Sequence, residues 1–254
     1  MKRTLLAGVA ALAFSAGAAE AALLSLGSGT NGAPVAGQIP SPGPTEGPNT
    51  NQLLPLFGLP AAGPGYGWYG ATIVGTAGAT YLYELFGAEA SNKNQLKQGF
   101  NTFTGTGDTG SALDGVNRAT SLAAPLASFT SNSLAFKFVI NGGNGGTYEV
   151  RNNADPLVPG VGGGNPDDTA VNAQNFFATF DITDNRAAGS RQQTGDVVYL
   201  WLDDGNQTDD NHDDLVVRIT ASVAPVPEPA TLGLLGAGLL GLGFAARRRR
   251  NKAA

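Results

Sequence analysis

Between two apolar runs, 197–202 and 215–222, lies the most chemically loaded stretch of the chain: Asp203-Asp204-Gly205-Asn206-Gln207-Thr208-Asp209-Asp210-Asn211-His212-Asp213-Asp214. Six of these twelve residues are aspartate and two are asparagine. Hard divalent cations take about six to eight oxygen ligands, and carboxylates spaced closely on a tight turn can converge on one ion. Without a cation the same carboxylates repel one another. The spacing is not that of an EF-hand, because Gly205 comes too early and no glutamate closes the twelfth position. The residues alone leave two readings, a cation site and a solvated acidic turn.

Other chemistries have little to work with. The chain has no cysteine, which excludes thiolate metal sites, cysteine nucleophiles and disulfide stapling. Its single histidine, His212, excludes a multi-histidine zinc site, and any Ser-His-Asp triad would have to use it. No nucleophile-elbow motif is present. Asn165-Pro166-Asp167-Asp168 reads as a surface turn. Gly142-Gly143-Asn144-Gly145-Gly146 lacks a following helix and P-loop lysine, so it reads as a hairpin tip rather than a phosphate cradle.

The elements that would hold the acidic loop are strands. Residues 197–202, Val-Val-Tyr-Leu-Trp-Leu, are apolar on both faces, as in a central strand. Further strands are expected at 68–74, 80–86, 133–140, 147–151, 176–182 and 215–222. In 133–140, Leu134, Phe136, Phe138 and Ile140 alternate with Ala135, Lys137 and Val139, and the glycine-rich tip then makes a hairpin with 147–151. Residues 89–98 are the one stretch read as a short helix or loop. With 37 glycines and 15 prolines, the chain has too many breakers for a helical bundle. The expectation is an all-β, antiparallel, jelly-roll-like β-sandwich over 65–224, preceded by an irregular Gly/Pro-rich leader over 22–64 that has room for a short strand.

Both ends carry sorting features. Lys2 and Arg3 precede the apolar run 5–14 and an Ala19-Glu20-Ala21 site, the pattern of a signal peptide over 1–21 removed by signal peptidase, with a second cut position after Ala22. At the other end come Pro227-Glu228-Pro229, an uncharged run 230–246 and the cluster Arg247-Arg248-Arg249-Arg250, followed by Lys252. As a helix the run would be roughly 25 Å long, the short end of a single transmembrane span, with its arginines cytoplasmic and the domain outside. Seven of the fifteen basic residues lie in these end segments, leaving 8 basic and 18 acidic residues between them, a charge of −10. Such a surface argues against nucleic acid and for divalent cations.

The ending 225–254 resembles the PEP-CTERM sorting signal of Gram-negative bacteria. That resemblance implies processing near the Pro-Glu-Pro by an exosortase at the inner membrane, and residence afterwards in the cell envelope, at the cell surface or in the extracellular matrix. The acidic loop with its flanks is similar to one in secreted bacterial β-domains, in which an apolar strand, an acidic pair, a glycine-containing gap and a second acidic group precede Leu/Val-Val. The implied role is structural calcium binding through Asp203, Asp204, Asp209, Asn211, Asp213 and Asp214, with His212 in an aromatic slot. Tyr81-Leu82-Tyr83-Glu84-Leu85-Phe86-Gly87-Ala88-Glu89-Ala90 with Asn94 resembles a segment of PEP-CTERM proteins of the same type. There Glu89 and Asn94 would join a metal or rim site, or Glu89 would cap a local turn.

The function expected is a non-enzymatic surface or matrix protein associated with exopolysaccharide and biofilm. Trp68 and Tyr69 would be its stacking platform if solvent-facing, and core residues if not. The alternative is a secreted polysaccharide hydrolase with paired acids drawn from the aspartate cluster. A glycosidase needs its carboxyls about 5–9 Å apart across a cleft, whereas these crowd one hairpin.

Overall fold

The computed structural model describes residues 21–28, 33–39, 51–88, 94–105, 118–143, 146–152, 176–202, 213–224, 235–243 and 248. Its strands are β1 (Leu24–Ser28), β2 (Val35–Ile39), β3 (Gly65–Tyr69), β4 (Ala71–Gly75), β5 (Thr80–Gly87), β6 (Gln95–Gln98), β7 (Asn101–Thr104), β8 (Ala127–Ser131), β9 (Phe136–Gly143), β10 (Gly146–Arg151), β11 (Phe176–Thr179), β12 (Thr194–Gly195), β13 (Val197–Leu202) and β14 (Leu215–Ser222). A 3-10 turn, Leu54–Phe57, lies between β2 and β3. The paired strands run antiparallel, as the alternating pattern predicts.

One layer is a seven-stranded sheet in the order β2-β3-β11-β13-β14-β5-β8. Facing it are two smaller sheets, β12-β1-β4 and β10-β9-β6-β7. Phe136, Phe138 and Val150 from the latter meet Tyr83, Phe176, Leu200 and Val217 of the large sheet in the main core. The opposite face of the large sheet is buried as well. There Trp201, Val216, Phe177 and Phe86 pack under Ile39, Leu53, Leu54, Ala119 and the edges of Phe57 and Leu122. β13 lies between β11 and β14, so its two apolar faces fill two different cores.

Segment 22–64 therefore differs from an irregular leader: β1 and β2 are paired strands, and the 3-10 turn roofs the second core. Small, polar and glycine-rich strands such as Val35–Ile39 carry too little hydrophobic alternation to be seen in the sequence. The short helix or loop expected at 89–98 is corrected at its end, where Gln95–Gln98 is a strand pairing both β7 and β9. The single strand expected at 68–74 is two strands in two sheets. They break at Gly70, whose φ of 65° is a left-handed conformation open to glycine, and the chain there crosses between layers. Gly67 is needed for a different reason: a Cβ there would lie 2.5 Å from the Ala178 carbonyl oxygen and 2.6 Å from the Phe177 ring.

Of the uncharged run 230–246, read from the sequence as a transmembrane helix, residues 235–243 are described. The described helix runs over 235–243, about 14 Å at 1.5 Å per residue. Among the described residues no helix is long and apolar enough to cross a membrane. Four of its nine residues are glycine, each weakening helix by roughly 1 kcal/mol relative to alanine.

Two polar devices close the layers. Asn152, buried at the end of β10, accepts the Ile73 N–H through Oδ1 at 2.7 Å and donates from Nδ2 to the Ile73 and Leu134 carbonyls at 2.8 and 2.9 Å. Its side-chain amide thus pairs with β4 as another strand would, and joins the free edges of the two smaller sheets. Asp184 accepts from the Arg186 guanidinium at 2.6 Å and from the Gln192 N–H at 2.7 Å. The Arg186 hydrogen bonds hold its carboxyl well below the usual carboxylate range.

Asn152→Ala strands the Ile73 peptide in the interior, and is expected to cost about 2–4 kcal/mol by urea unfolding. The Asp184 carboxylate contributes stability above the unfolded carboxylate pKa of about 3.9, and that contribution is lost as pH falls through the lower folded value. Asp184→Asn should therefore lower the denaturant midpoint at pH 7, by a margin that narrows as pH falls below about 4.

Candidate metal loop and sorting tail

The acidic loop is strung between the ends of β13 and β14, where Leu202 and Leu215 are register partners and both fully buried. The Asp214 N–H donates to the Leu202 carbonyl at 3.2 Å, closing the neck of the loop. Asp203, Asp204, Asp209, Asn211 and His212 lie outside the described residues. Asp213 and Asp214 are described, and both are buried.

Asp213 has a structural task. It is 0 % exposed, and its Oδ2 accepts the backbone N–H of Gln52 at 2.5 Å. From the other side Arg118 donates to the Gln52 carbonyl at 2.9 Å. One residue earlier, Asn51 Oδ1 accepts the N–H groups of Leu53 and Leu54 at 2.9 and 3.0 Å, opening the 3-10 turn that covers Trp201. The last part of the acidic loop is therefore tied to the segment that roofs the second core. Nothing in the sequence links Asp213 to Gln52, which are 161 residues apart.

Among the described residues no group of three His, Cys, Asp or Glu side chains could hold a metal ion. Asn94 is buried, and Glu89 lies outside the described residues. Trp68 and Tyr69 form no exposed platform. Both are buried, with Trp68 Nε1 donating to the Gln192 carbonyl and the Tyr69 hydroxyl to that of Gln38.

Sequence reasoning missed one polar site altogether. Across β5 and β14, where Glu84 and Arg218 are register partners, the guanidinium makes two hydrogen bonds to the carboxylate, at 2.7 and 2.9 Å. The Arg218 guanidinium also lies 4.8 Å from the Phe86 ring centroid. Donating these hydrogen bonds to Glu84 raises the Arg218 pKa above its ordinary value. The signal was present as a lone charge in each of two apolar strands, but their pairing partners were not.

In the tail, Pro227, Glu228, Pro229, Arg247, Arg249 and Arg250 lie outside the described residues, and Arg248 is exposed. Leu235, Leu239, Leu240 and Leu242 of the short helix are all exposed.

An antiparallel sandwich followed by an apolar, arginine-terminated tail defines an exported β-domain protein with a C-terminal sorting device. The family model of the PEP-CTERM protein-sorting motif matches residues 225–250. The chain thus carries the sorting signal of an exosortase substrate, which directs it out of the cytoplasm to the cell envelope or surface. No curated protein and no solved structure matches it significantly.

Asp213→Ala removes a buried acceptor and leaves the Gln52 N–H unpaired, at a cost of about 2 kcal/mol. For a domain of this size that lowers the unfolding midpoint by roughly 4–8 °C. The loss should be the same with calcium and with chelator, because the bond it breaks is to backbone.

Proposed function

We propose that the exported domain is a non-enzymatic surface or extracellular-matrix protein that works among exopolysaccharide in a biofilm, with its acidic loop stabilised by calcium. The observation that carries the reading is the sorting motif at 225–250, which directs the chain out of the cytoplasm to the cell envelope or surface. The acidic loop supports the calcium part. Its neck is closed on a buried hairpin, and its aspartates are crowded within twelve residues. Calcium at extracellular concentrations is a ligand suited to such carboxylates. Asp203, Asp204, Asp209 and Asn211 are the ligands of this reading, with Asp214 at the neck. Asp213 belongs first to the Gln52 backbone.

The absence of cysteine and the single histidine favour a binding or structural role over nucleophilic or zinc chemistry. After export, signal peptidase removes residues 1–21 and exosortase acts near Pro227-Glu228-Pro229.

The test is thermal unfolding of residues 22–226 with calcium and with excess chelator. Calcium at 100 times its dissociation constant adds about 2.7 kcal/mol. The midpoint should rise by several degrees in calcium, and Asp209→Asn or Asp204→Asn should abolish that rise while leaving the chelated midpoint in place. An unchanged midpoint makes the loop a solvated turn. Release of reducing sugar from the producing organism's exopolysaccharide would replace the matrix reading with a hydrolase.

A further inference from the structure

The chain enters and leaves the sandwich at one end. Asp196, just before β13, accepts the Leu23 N–H through Oδ1 at 2.9 Å, and its backbone carbonyl accepts the Ala221 N–H at 2.7 Å. The first residues after the signal peptide and the last strand before the sorting tail are thus fastened to the same residue. Register places other segments at this end: Leu24 opposite Gly75, Ser222 opposite Thr80, and Tyr81 opposite Ser131. A Cβ on Gly75 would meet the Tyr81 hydroxyl and Leu134, which confirms that the three turns converge. The β6–β7 hairpin points the same way, because Gln98 pairs with Phe136, two residues beyond Leu134. The acidic loop leaves from the opposite ends of β13 and β14, about 20 Å away for a six-residue strand.

The two ends differ in chemistry. Residues 21–24, 75–80, 98–101, 131–135 and 222–224 contain no charged side chain, and the charges at this end, Asp181, Asp184, Arg186, Arg191 and Asp196, all lie in the β11–β13 connection. Three of the domain's exposed large hydrophobics cluster here: Phe100 at the β6–β7 tip is 108 % exposed, Val74 46 % and Val223 45 %. Immediately behind them, Lys97, Lys137 and Arg151 form one cross-strand row on the outer face of β6, β9 and β10. Like charges placed opposite one another in a sheet are unfavourable. Glu149 bonds both Lys137 and Arg151 and still leaves the row with an excess of positive charge. Only two residues, Pro225 and Val226, separate Ala224 from Pro227, at most about 10 Å of extended chain between their Cα atoms.

We propose that this end of the sandwich is a lipid-contact surface, with Phe100, Val74 and Val223 entering the headgroup boundary of an anionic bilayer and Lys97, Lys137 and Arg151 facing its phosphates. Apolar side chains backed by cations are the combination that holds a protein at such an interface. The occupant follows from the chain itself. Ten residues of sequence lead from this end to a helix with four exposed leucines and then to the arginine cluster, which would bring this end of the domain to a membrane surface before exosortase processing. The inference goes beyond the proposed matrix role and does not depend on calcium.

The cysteine-free sequence makes the test direct. In the full chain, single cysteines at two exposed positions, Ala77→Cys at the proposed contact and Ala123→Cys towards the other end, carry an environment-sensitive dye. On vesicles containing phosphatidylglycerol, the dye at position 77 should shift to the blue and be quenched by a lipid-borne quencher, and the dye at position 123 should do neither. Phe100→Ser, at a position where folding has nothing to lose, should abolish the shift while the tail still co-sediments the protein with vesicles. Lys97→Gln should weaken the contact about fivefold, and phosphatidylcholine alone should not support it. Equal signals at the two positions, no signal at position 77, or a shift indifferent to Phe100→Ser would overturn the proposal.

Discussion

A strand that is apolar on both faces has to be covered on both faces, and in this chain that strand is β13. Val198, Leu200 and Leu202 face one way and Trp201 the other, all fully buried. Leaving either face in water would forfeit roughly 1.5–3 kcal/mol for each large side chain. The first face is covered by the two smaller sheets, held edge to edge by the Asn152 amide. The second is covered by a 3-10 turn and short flanking segments, which have no sheet of their own and are held by single polar contacts. Asp213 and Arg118, gripping opposite sides of the Gln52 peptide, are the consequence of roofing a core with irregular chain.

That arrangement gives the acidic loop a dual character. Its last residues are part of the folding machinery, while its earlier aspartates are the candidates for an ion. Among the described residues of the loop, Asp213 is tied to the Gln52 backbone and Asp214 closes the neck on Leu202.

The domain is also polar along its strand axis. Chain entry, chain exit, exposed apolar side chains and a row of cations gather at one end, together with Asp181, Asp184 and Asp196 of the β11–β13 connection, and the acidic loop is joined to the strands at the other. In a domain of charge −10 this separation matters more than the total, because the field at a surface is set by the nearest charges.

The strands with strong hydrophobic alternation were legible: β5, β9, β10, β11, β13 and β14 fall at or near the expected positions, and their antiparallel pairing follows from turn-sized connections. β1, β2, β7 and β8 were not, because short stretches of serine, threonine, glycine and alanine are strands only by virtue of a neighbour that accepts their hydrogen bonds. Trp68 and Tyr69 show the same limit, as their type fits an exposed platform and the core equally well.

By itself the sequence determined the sorting motif, the all-β class, the central strand and the position of the acidic loop between two strands, because each is written in local composition or in a period of two. The tertiary structure alone decided that Asp213 serves the Gln52 backbone, that Glu84 and Arg218 form a pair, that Asn152 stands in for a strand, and that both ends of the domain share Asp196. These are contacts between residues up to 173 positions apart. Their physical basis is strand register, which no local pattern encodes until every partner strand is in place.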